Sequence, residues 1–160
     1  REARVIGIAG LKEKCDWVER HARFHACVSY RTESLDSRLR ELAPRGVNVF
    51  FDSTGGDLIN KVLTGRHLAT NARVVLNDVV TGGVPAKQIE SFTDSPLQVF
   101  RLSEHPYQSR YRDFLRDAIA WFGAGRLAHK EDIVEGLDQA PAHFCRMMRG
   151  ENFGRALVRV

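Results

Sequence analysis

Residues 46–57 read GVNVFFDSTGGD and combine the two signals that decide the fold. The apolar run from Val47 to Phe51 predicts a buried strand, because strands covered on both faces are apolar throughout rather than alternating. The run stops at Asp52, where two hydroxyl residues and two adjacent glycines lead into a helical pattern. Glycines there let a ligand approach the backbone, and the next helix presents free N–H groups. A tight turn with no ligand explains the same residues equally well, so both interpretations stay open.

The same alternation of strand and helix runs along most of the chain. Apolar, β-branched runs predict strands at Val5–Ala9, Ala26–Tyr30, Val47–Phe51, Arg73–Leu76, Leu97–Leu102 and Ala156–Val160. Apolar residues at spacings of three and four predict helices at Leu11–Ala22, Ser34–Ala43 with Thr32 as cap, Asp57–Leu68, Tyr107–Phe122 and Leu137–Met148. Short connectors between such elements indicate parallel strands with right-handed crossovers. The fold class is therefore α/β, with a doubly wound, mostly parallel sheet.

Composition excludes several classes of protein. The chain has 160 residues, of which 43% are hydrophobic, enough to bury a core. A net charge of +4 without a run of like charges argues against nucleic acid as a partner. Because no apolar stretch approaches 18 residues and the first residues run into a strand, we expect neither a membrane span nor a signal peptide. Three scattered cysteines predict free thiols and a cytoplasmic location.

Metal and nucleophile sites are not supported by the spacing of the chemistry-bearing residues. His21 and His25 stand four apart with Cys27 nearby, but further ligands are not evident, so we expect no metal. Cys145 lies on the apolar side of a helical pattern and is expected to pack rather than react. The adjacent acids Glu131 and Asp132 are typical of a solvated loop. No catalytic residue is assigned.

Five stretches, taken in order, resemble the medium-chain dehydrogenase/reductase superfamily. They are VIGIAGLKEK (5–14), VSYR (28–31), GVNVFFDSTGGD (46–57), ARVVLND (72–78) and the C-terminal EDIVEGLDQAPAHFCRMMRGENFGRALVRV (131–160). The resemblance is to the zinc-free branch of NADP-dependent alkenal/alkenone and prostaglandin reductases. It implies hydride transfer from NADPH to the β-carbon of an α,β-unsaturated ketone or aldehyde. It also implies a homodimer acting on a small-molecule substrate.

The resemblance also indicates which features of the family are missing from this sequence. In dinucleotide-binding sheets of strand order 3-2-1-4-5-6 the first strand is central, and a glycine-rich turn follows it. No G-x-G-x-x-G occurs in the sequence, which begins at what would be the second strand. We therefore expect a partial Rossmann domain over residues 1–123, whose two halves cannot pair. Residues 124–160 are then a helix and strand belonging to the catalytic domain. Alone, the 160 residues are expected to be inactive and not to fold as a stable monomer.

The resemblance implies a set of cofactor-binding residues. Gly10 ends the second strand of the family, where NAD-preferring relatives place an acid. Lys14 matches the family's lysine for the 2′-phosphate and Tyr30 its tyrosine near the adenosine, although a solvated lysine is the plain alternative. The remaining contacts with the cofactor are Ser53, Asn77, Phe100, Arg101, Leu102 and Asn152. Asn152 matches a family asparagine that contacts the nicotinamide half of the cofactor. The alternative is an asparagine that only caps a turn.

Several positions depart from the family pattern. Arg23 replaces a glycine after the first helix, Asp78 replaces a glycine after the fourth strand, and Arg101 stands where an apolar residue is usual. The loop over residues 81–96 is shortened. These departures leave a second hypothesis open, in which the chain is a catalytically inactive nucleotide-binding or oligomerisation remnant of such an enzyme.

Overall fold

The computed structural model describes residues 3–77, 96–102 and 107–160. The departure at Asp78 and nearly all of the loop 81–96 lie outside these residues. In chain order the strands are β1 Ile6–Ala9, β2 Ala26–Ser29, β3 Val47–Asp52, β4 Leu68–Leu76, β5 Gln98–Arg101, β6 Glu131–Glu135 and β7 Arg155–Arg159. The α-helices are α1 Lys12–Arg20, α2 Leu35–Leu42, α3 Gly56–Thr64, α4 Tyr111–Gly123 and α5 Ala140–Met148, with 3₁₀ turns at Tyr107–Arg110 and Leu137–Gln139.

Every paired strand in the described residues is parallel to its neighbour, which confirms the predicted α/β class. β1 pairs with β2, β3 pairs with β4, β4 pairs with β5, and β6 pairs with β7. The expected lack of pairing between β2 and β3 is confirmed, since β1 and β2 form one sheet and β3, β4 and β5 form another. Val49 and Phe51 of β3 are 46% and 55% exposed, so the prediction of a strand buried throughout Val47–Phe51 is wrong at these two positions.

The chain divides into two compact units. The first consists of Arg1–Thr32 with Phe114–Val160, and the second of Glu33–Asp113. Cys15 of α1 and Val28 of β2 are buried in the first unit. Ile59 and Val62 of α3 are buried in the second unit, together with Val74 of β4. The predicted domain boundary after residue 123, between the Rossmann domain and the catalytic segment, refers to a complete enzyme and stays a prediction.

The stretch GVNVFFDSTGGD is a strand and a tight turn whose polar groups satisfy one another. The buried carboxylate of Asp52 accepts hydrogen bonds from the N–H groups of Thr54 (3.1 Å) and Gly55 (2.9 Å). Gly55 and Gly56 have φ of +69° and +61°, a region that favours glycine. A Cβ on Gly56 would meet nothing within 4 Å. The turn thus accounts for the acid and for the glycines, and it leaves open space above Gly56.

Two predicted boundaries in the second unit are wrong. Ser34, rather than Thr32, caps α2, since its Oγ accepts a hydrogen bond from Ser37 N at 3.3 Å. The third helix ends at Thr64, four residues before the predicted Leu68, which instead begins β4. The apolar periodicity alone could not locate this end, because Leu68 continues the same apolar pattern into the following strand.

Two predictions near the C-terminus are also wrong. Glu131 and Asp132 belong to strand β6 rather than to a solvated loop, because β7 supplies parallel hydrogen bonds that the local sequence does not reveal. Cys145 is exposed rather than packed, whereas His143 two residues earlier is buried. Pro141 stands in the first turn of α5, as predicted.

The departure at Arg23 has a structural consequence. Its φ is +58°, so the backbone after α1 keeps a left-handed conformation that glycine adopts freely and a larger residue adopts at a cost. None of the three cysteines takes part in a disulfide. Among the described helices, none is long and apolar enough to cross a membrane.

Candidate functional site

In the first unit, Gly10 and Tyr30 lie side by side at the carboxyl ends of β1 and β2. The parallel register pairs Ala9 with Ser29, so the residues that follow each strand are neighbours. A Cβ built on Gly10 would lie 3.2 Å from the Tyr30 hydroxyl and 3.3 Å from Arg31 Nε. The absence of a side chain at Gly10 therefore leaves room for the phenol and the guanidinium to lie over the end of β1.

Lys14 reaches the same part of the first unit from the first turn of α1. Its ammonium donates a hydrogen bond to the carbonyl of Gly150 at 2.6 Å. Arg31 Nη2 donates to the neighbouring carbonyl of Arg149 at 3.0 Å. Both carbonyls follow the last residue of α5, where the helix dipole is negative and favours cations. Lys14 is therefore half-buried with a specific backbone partner, and its role toward a cofactor stays a prediction.

The local electrostatics favour an anion. Burial lowers the pKa of Lys14, the charge of Arg31 lowers it further, and the carboxylates of Glu13 and Asp132 act in the opposite direction. A phosphate dianion beside this pair would reduce the repulsion between the two cations. The donor set of an ammonium, a guanidinium and a phenol beside a glycine thus fits a phosphate monoester.

Asn152 lies in the turn after α5 in the same unit. Its Nδ2 donates to the carbonyl of Gly154 at 2.7 Å, and Phe153 N donates to Asp132 Oδ2 at 2.9 Å. Lys130 lies over the Phe153 ring, 5.4 Å from its centre. Asn152 thus has the turn-forming role that was its alternative, and its role toward a cofactor stays a prediction.

Ser53 and Asn77 come together in the second unit, at the carboxyl ends of β3 and β4. Asn77 Nδ2 donates to Ser53 Oγ at 3.3 Å, and Asn77 N donates to the carbonyl of Asp52 at 2.9 Å. Leu102 N donates to the carbonyl of Leu76 at 3.0 Å, which places the end of β5 beside the end of β4. The site at this edge combines the neutral side chains of Ser53 and Asn77 with the buried carboxylate of Asp52 and with Arg101 at the end of β5.

Phe100 and Arg101 lie within β5, opposite Val75 and Leu76 of β4. Both side chains are partly exposed. The second unit therefore brings five of the predicted residues to one sheet, whereas Gly10, Lys14, Tyr30 and Asn152 belong to the first unit.

Sequence reasoning overlooked Arg31 and Asp132. Arg31 directly follows Tyr30, and this adjacency was the available signal. Asp132 was assigned to a loop, yet its carboxylate accepts from the turn at Phe153 and lies 3.5 Å from Arg146.

The candidate metal ligands have other roles. His25 Nδ1 accepts a hydrogen bond from Val5 N at 3.0 Å, and the ring of His21 lies 5.6 Å from that of Trp17. Within the ranges that the structure describes, no group of three histidine, cysteine or acidic side chains is arranged to hold a metal ion.

Comparisons with known proteins agree on one family. Residues 23–158 match the family model described as zinc-binding dehydrogenase. The chain is 33% identical to prostaglandin reductase 1 of Bos taurus over 98% of its own length and 49% of that protein. It is 27% identical to the NADPH-dependent curcumin reductase of Escherichia coli over 98% of its own length and 48% of that protein. The chain thus spans about half the length of the curated relatives it matches.

Solved structures give the same fold. The crystal structure of CurA from Vibrio vulnificus in complex with NADPH superposes with a TM-score of 0.79 at 27% identity, covering 98% of this chain and 49% of that one. An alcohol dehydrogenase from Aeropyrum pernix, at 23% identity and a TM-score of 0.69, shares the fold.

Proposed function

The chain belongs to the zinc-binding dehydrogenase family of the medium-chain dehydrogenase/reductase superfamily, and we propose that its protein reduces the C=C bond of α,β-unsaturated ketones or aldehydes with NADPH. The observation that carries the choice of cofactor is the end of β1, where Gly10 stands beside Tyr30 and Lys14 is the nearby cation. The names of the relatives, prostaglandin reductase and NADPH-dependent curcumin reductase, support the reaction class.

In this proposal Lys14 and Tyr30 hold the 2′-phosphate of the adenosine. The ammonium retains two N–H groups beyond the one that binds the Gly150 carbonyl, and the phenol donates its O–H. Gly10 keeps a carboxylate away from the phosphate, which removes the charge repulsion that an acid at this position would cause. NADPH, when bound, supplies the hydride for the reduction.

The neutral groups of the second unit are proposed to face uncharged parts of the cofactor. Ser53 and Asn77 offer hydroxyl and amide groups, and Phe100, Arg101 and Leu102 offer the backbone at the end of β5. Asn152 is proposed to contact the nicotinamide half, since its Oδ1 is an acceptor separate from the Nδ2 that binds Gly154.

We further propose that the enzyme works without zinc, as a homodimer in the cytoplasm, on a small-molecule enone or enal. These proposals rest on the likeness to the alkenal/alkenone reductase branch. No general acid is assigned.

The second candidate is an inactive nucleotide-binding or oligomerisation remnant. It is favoured by the separation of the β1–β2 sheet from the β3–β4–β5 sheet and by the exposure of Val49 and Phe51. Oxidation of NADPH that depends on an added enone, measured with the native gene product, separates the two. Cofactor binding without turnover supports the remnant.

The cofactor site is tested with Lys14→Gln in the native gene product. Loss of one charge-assisted contact should weaken NADPH binding about tenfold or more and leave NADH nearly unchanged. Arg20→Gln, at the other end of α1, is the matched control and should change neither Kd. Equal losses for the two cofactors in Lys14→Gln would contradict the proposal.

A further inference from the structure

Arg31 is the second cation at the end of β1, and it is held in a defined orientation. Its Nη2 donates to the carbonyl of Arg149 at 3.0 Å, while its Nε lies 3.3 Å from the position that a Cβ on Gly10 would take. The Tyr30 hydroxyl lies 3.2 Å from that same position. One edge of the guanidinium is thus fixed by the end of α5, and its Nε lies against Gly10.

The neighbouring carboxylates Asp132 and Glu151 hydrogen-bond to other groups, although Asp132 and Glu13 also attract Lys14, and Glu151 attracts Arg31. Asp132 accepts from Phe153 N and lies 3.5 Å from Arg146, and Glu151 forms an ion pair with Arg149 at 2.8 Å. Within the described residues, the hydrogen bonds of Lys14 and Arg31 go to backbone carbonyls rather than to carboxylates. The two side chains therefore keep N–H donors that can bind the oxygens of an external anion.

We propose that Arg31 is a second specificity-determining residue, which binds the 2′-phosphate of NADPH together with Lys14 and Tyr30. The proposal rests on the proposed function and extends it to a residue outside the set implied by the family resemblance. The role of the α5 end is to position this cation, because the carbonyl of Arg149 directs the guanidinium toward Gly10.

The chemistry of the side chain suits this role. A guanidinium has five N–H donors in a planar fork that matches two phosphate oxygens, and the bond to Arg149 uses one of the five. Lys14 adds a compact point charge to this fork. A dianion is therefore met by two cations and a phenol, whereas a ribose hydroxyl gains little from them.

The test measures Kd in the native gene product for NADPH, NADH, adenosine 2′,5′-bisphosphate and adenosine 5′-phosphate. Arg31→Gln should weaken binding of NADPH and of the bisphosphate about tenfold or more, and leave NADH and adenosine 5′-phosphate nearly unchanged. Arg20→Gln is the control for loss of one positive charge and should leave all four constants unchanged. A merely structural role of Arg31 would lower the melting temperature without changing the ratio of NADPH to NADH affinity.

Arg31→Lys provides a second variant should the glutamine variant not fold. It keeps the charge and loses the fork, so NADPH should bind several-fold more weakly while NADH is unchanged. If the affinity ratio is unchanged in the Arg31 variants but falls in Lys14→Gln, this inference is wrong and the proposed function stands. A native protein that binds neither NADPH nor the bisphosphate overturns both.

Discussion

The carboxyl ends of the strands differ in charge between the two units. In the first unit, Lys14 and Arg31 place two cations beside Gly10 and Tyr30. In the second unit, Ser53 and Asn77 contact each other without a net charge. Strand ends of the same α/β architecture are thus equipped for different chemistry, since a pair of cations suits a phosphate, whereas a hydroxyl and an amide suit uncharged groups.

The hydrogen bonds of the turns also differ. In the second unit the side chain of Asp52 satisfies its own turn through residues two and three positions later. In the first unit the cations satisfy carbonyls 118 and 136 positions away along the chain. The Asp52 turn therefore depends on local hydrogen bonds, whereas the Lys14–Arg31 site depends on how α5 packs near α1 and β2.

Breaking the local turn should have the largest effect on stability. Asp52→Ala leaves the N–H groups of Thr54 and Gly55 without their buried acceptor, which should cost about 2–3 kcal/mol of unfolding free energy. Asp57→Ala, at an exposed position of α3, should cost less than about 1 kcal/mol. Urea unfolding of the native gene product measures both. Equal losses in the two variants would show that the Asp52 turn is not the source of the effect.

Relieving the strained backbone after α1 in the first unit should have a smaller effect of the opposite sign. Arg23→Gly removes the cost of a left-handed conformation at φ +58°, so unfolding free energy should rise by about 0.5–1 kcal/mol. Arg20→Gly, within α1, should instead destabilise by about 1 kcal/mol. Thermal melting of both variants shows whether each substitution stabilises or destabilises the protein. Destabilisation by Arg23→Gly would mean that the arginine side chain makes contacts worth more than the strain.

The smallest effect is expected from pH in the second unit. Burial lowers the pKa of His67 below its ordinary 6.5, although the carboxylate of Asp36, 3.1 Å away, acts in the opposite direction and Arg40 adds to the lowering. The unfolded chain therefore binds the proton more tightly than the folded chain. The contribution of His67 is complete above pH 6.5 and declines as the pH falls below that value.

His67→Gln should therefore flatten the decline in stability below pH 6.5 that native protein shows in urea titrations. His21→Gln, at an exposed position after α1, is the matched control and should retain the native slope. A native slope in His67→Gln would assign the decline to other groups.

Much of the fold was predictable because its signals are local. The apolar runs at Val47 and Val74 and the helical spacing around Val62 reflect periodicity within a few residues. The break in the sheet was predictable as well, since a central strand is missing from the expected order. Strand β6 was missed because Glu131 and Asp132 show no strand pattern without their partner β7.

Sequence alone determined the α/β class, the family, and the positions of Gly10 and Tyr30 after two strands and of Lys14 at the start of the helix between them. Only the tertiary structure decided that Lys14 binds the end of α5, that Arg31 joins it, and that Asn152 is engaged in its own turn. The physical reason is range. Periodicity and turn chemistry act over a few residues, whereas a cation and its carbonyl more than a hundred positions apart meet only when the helices pack.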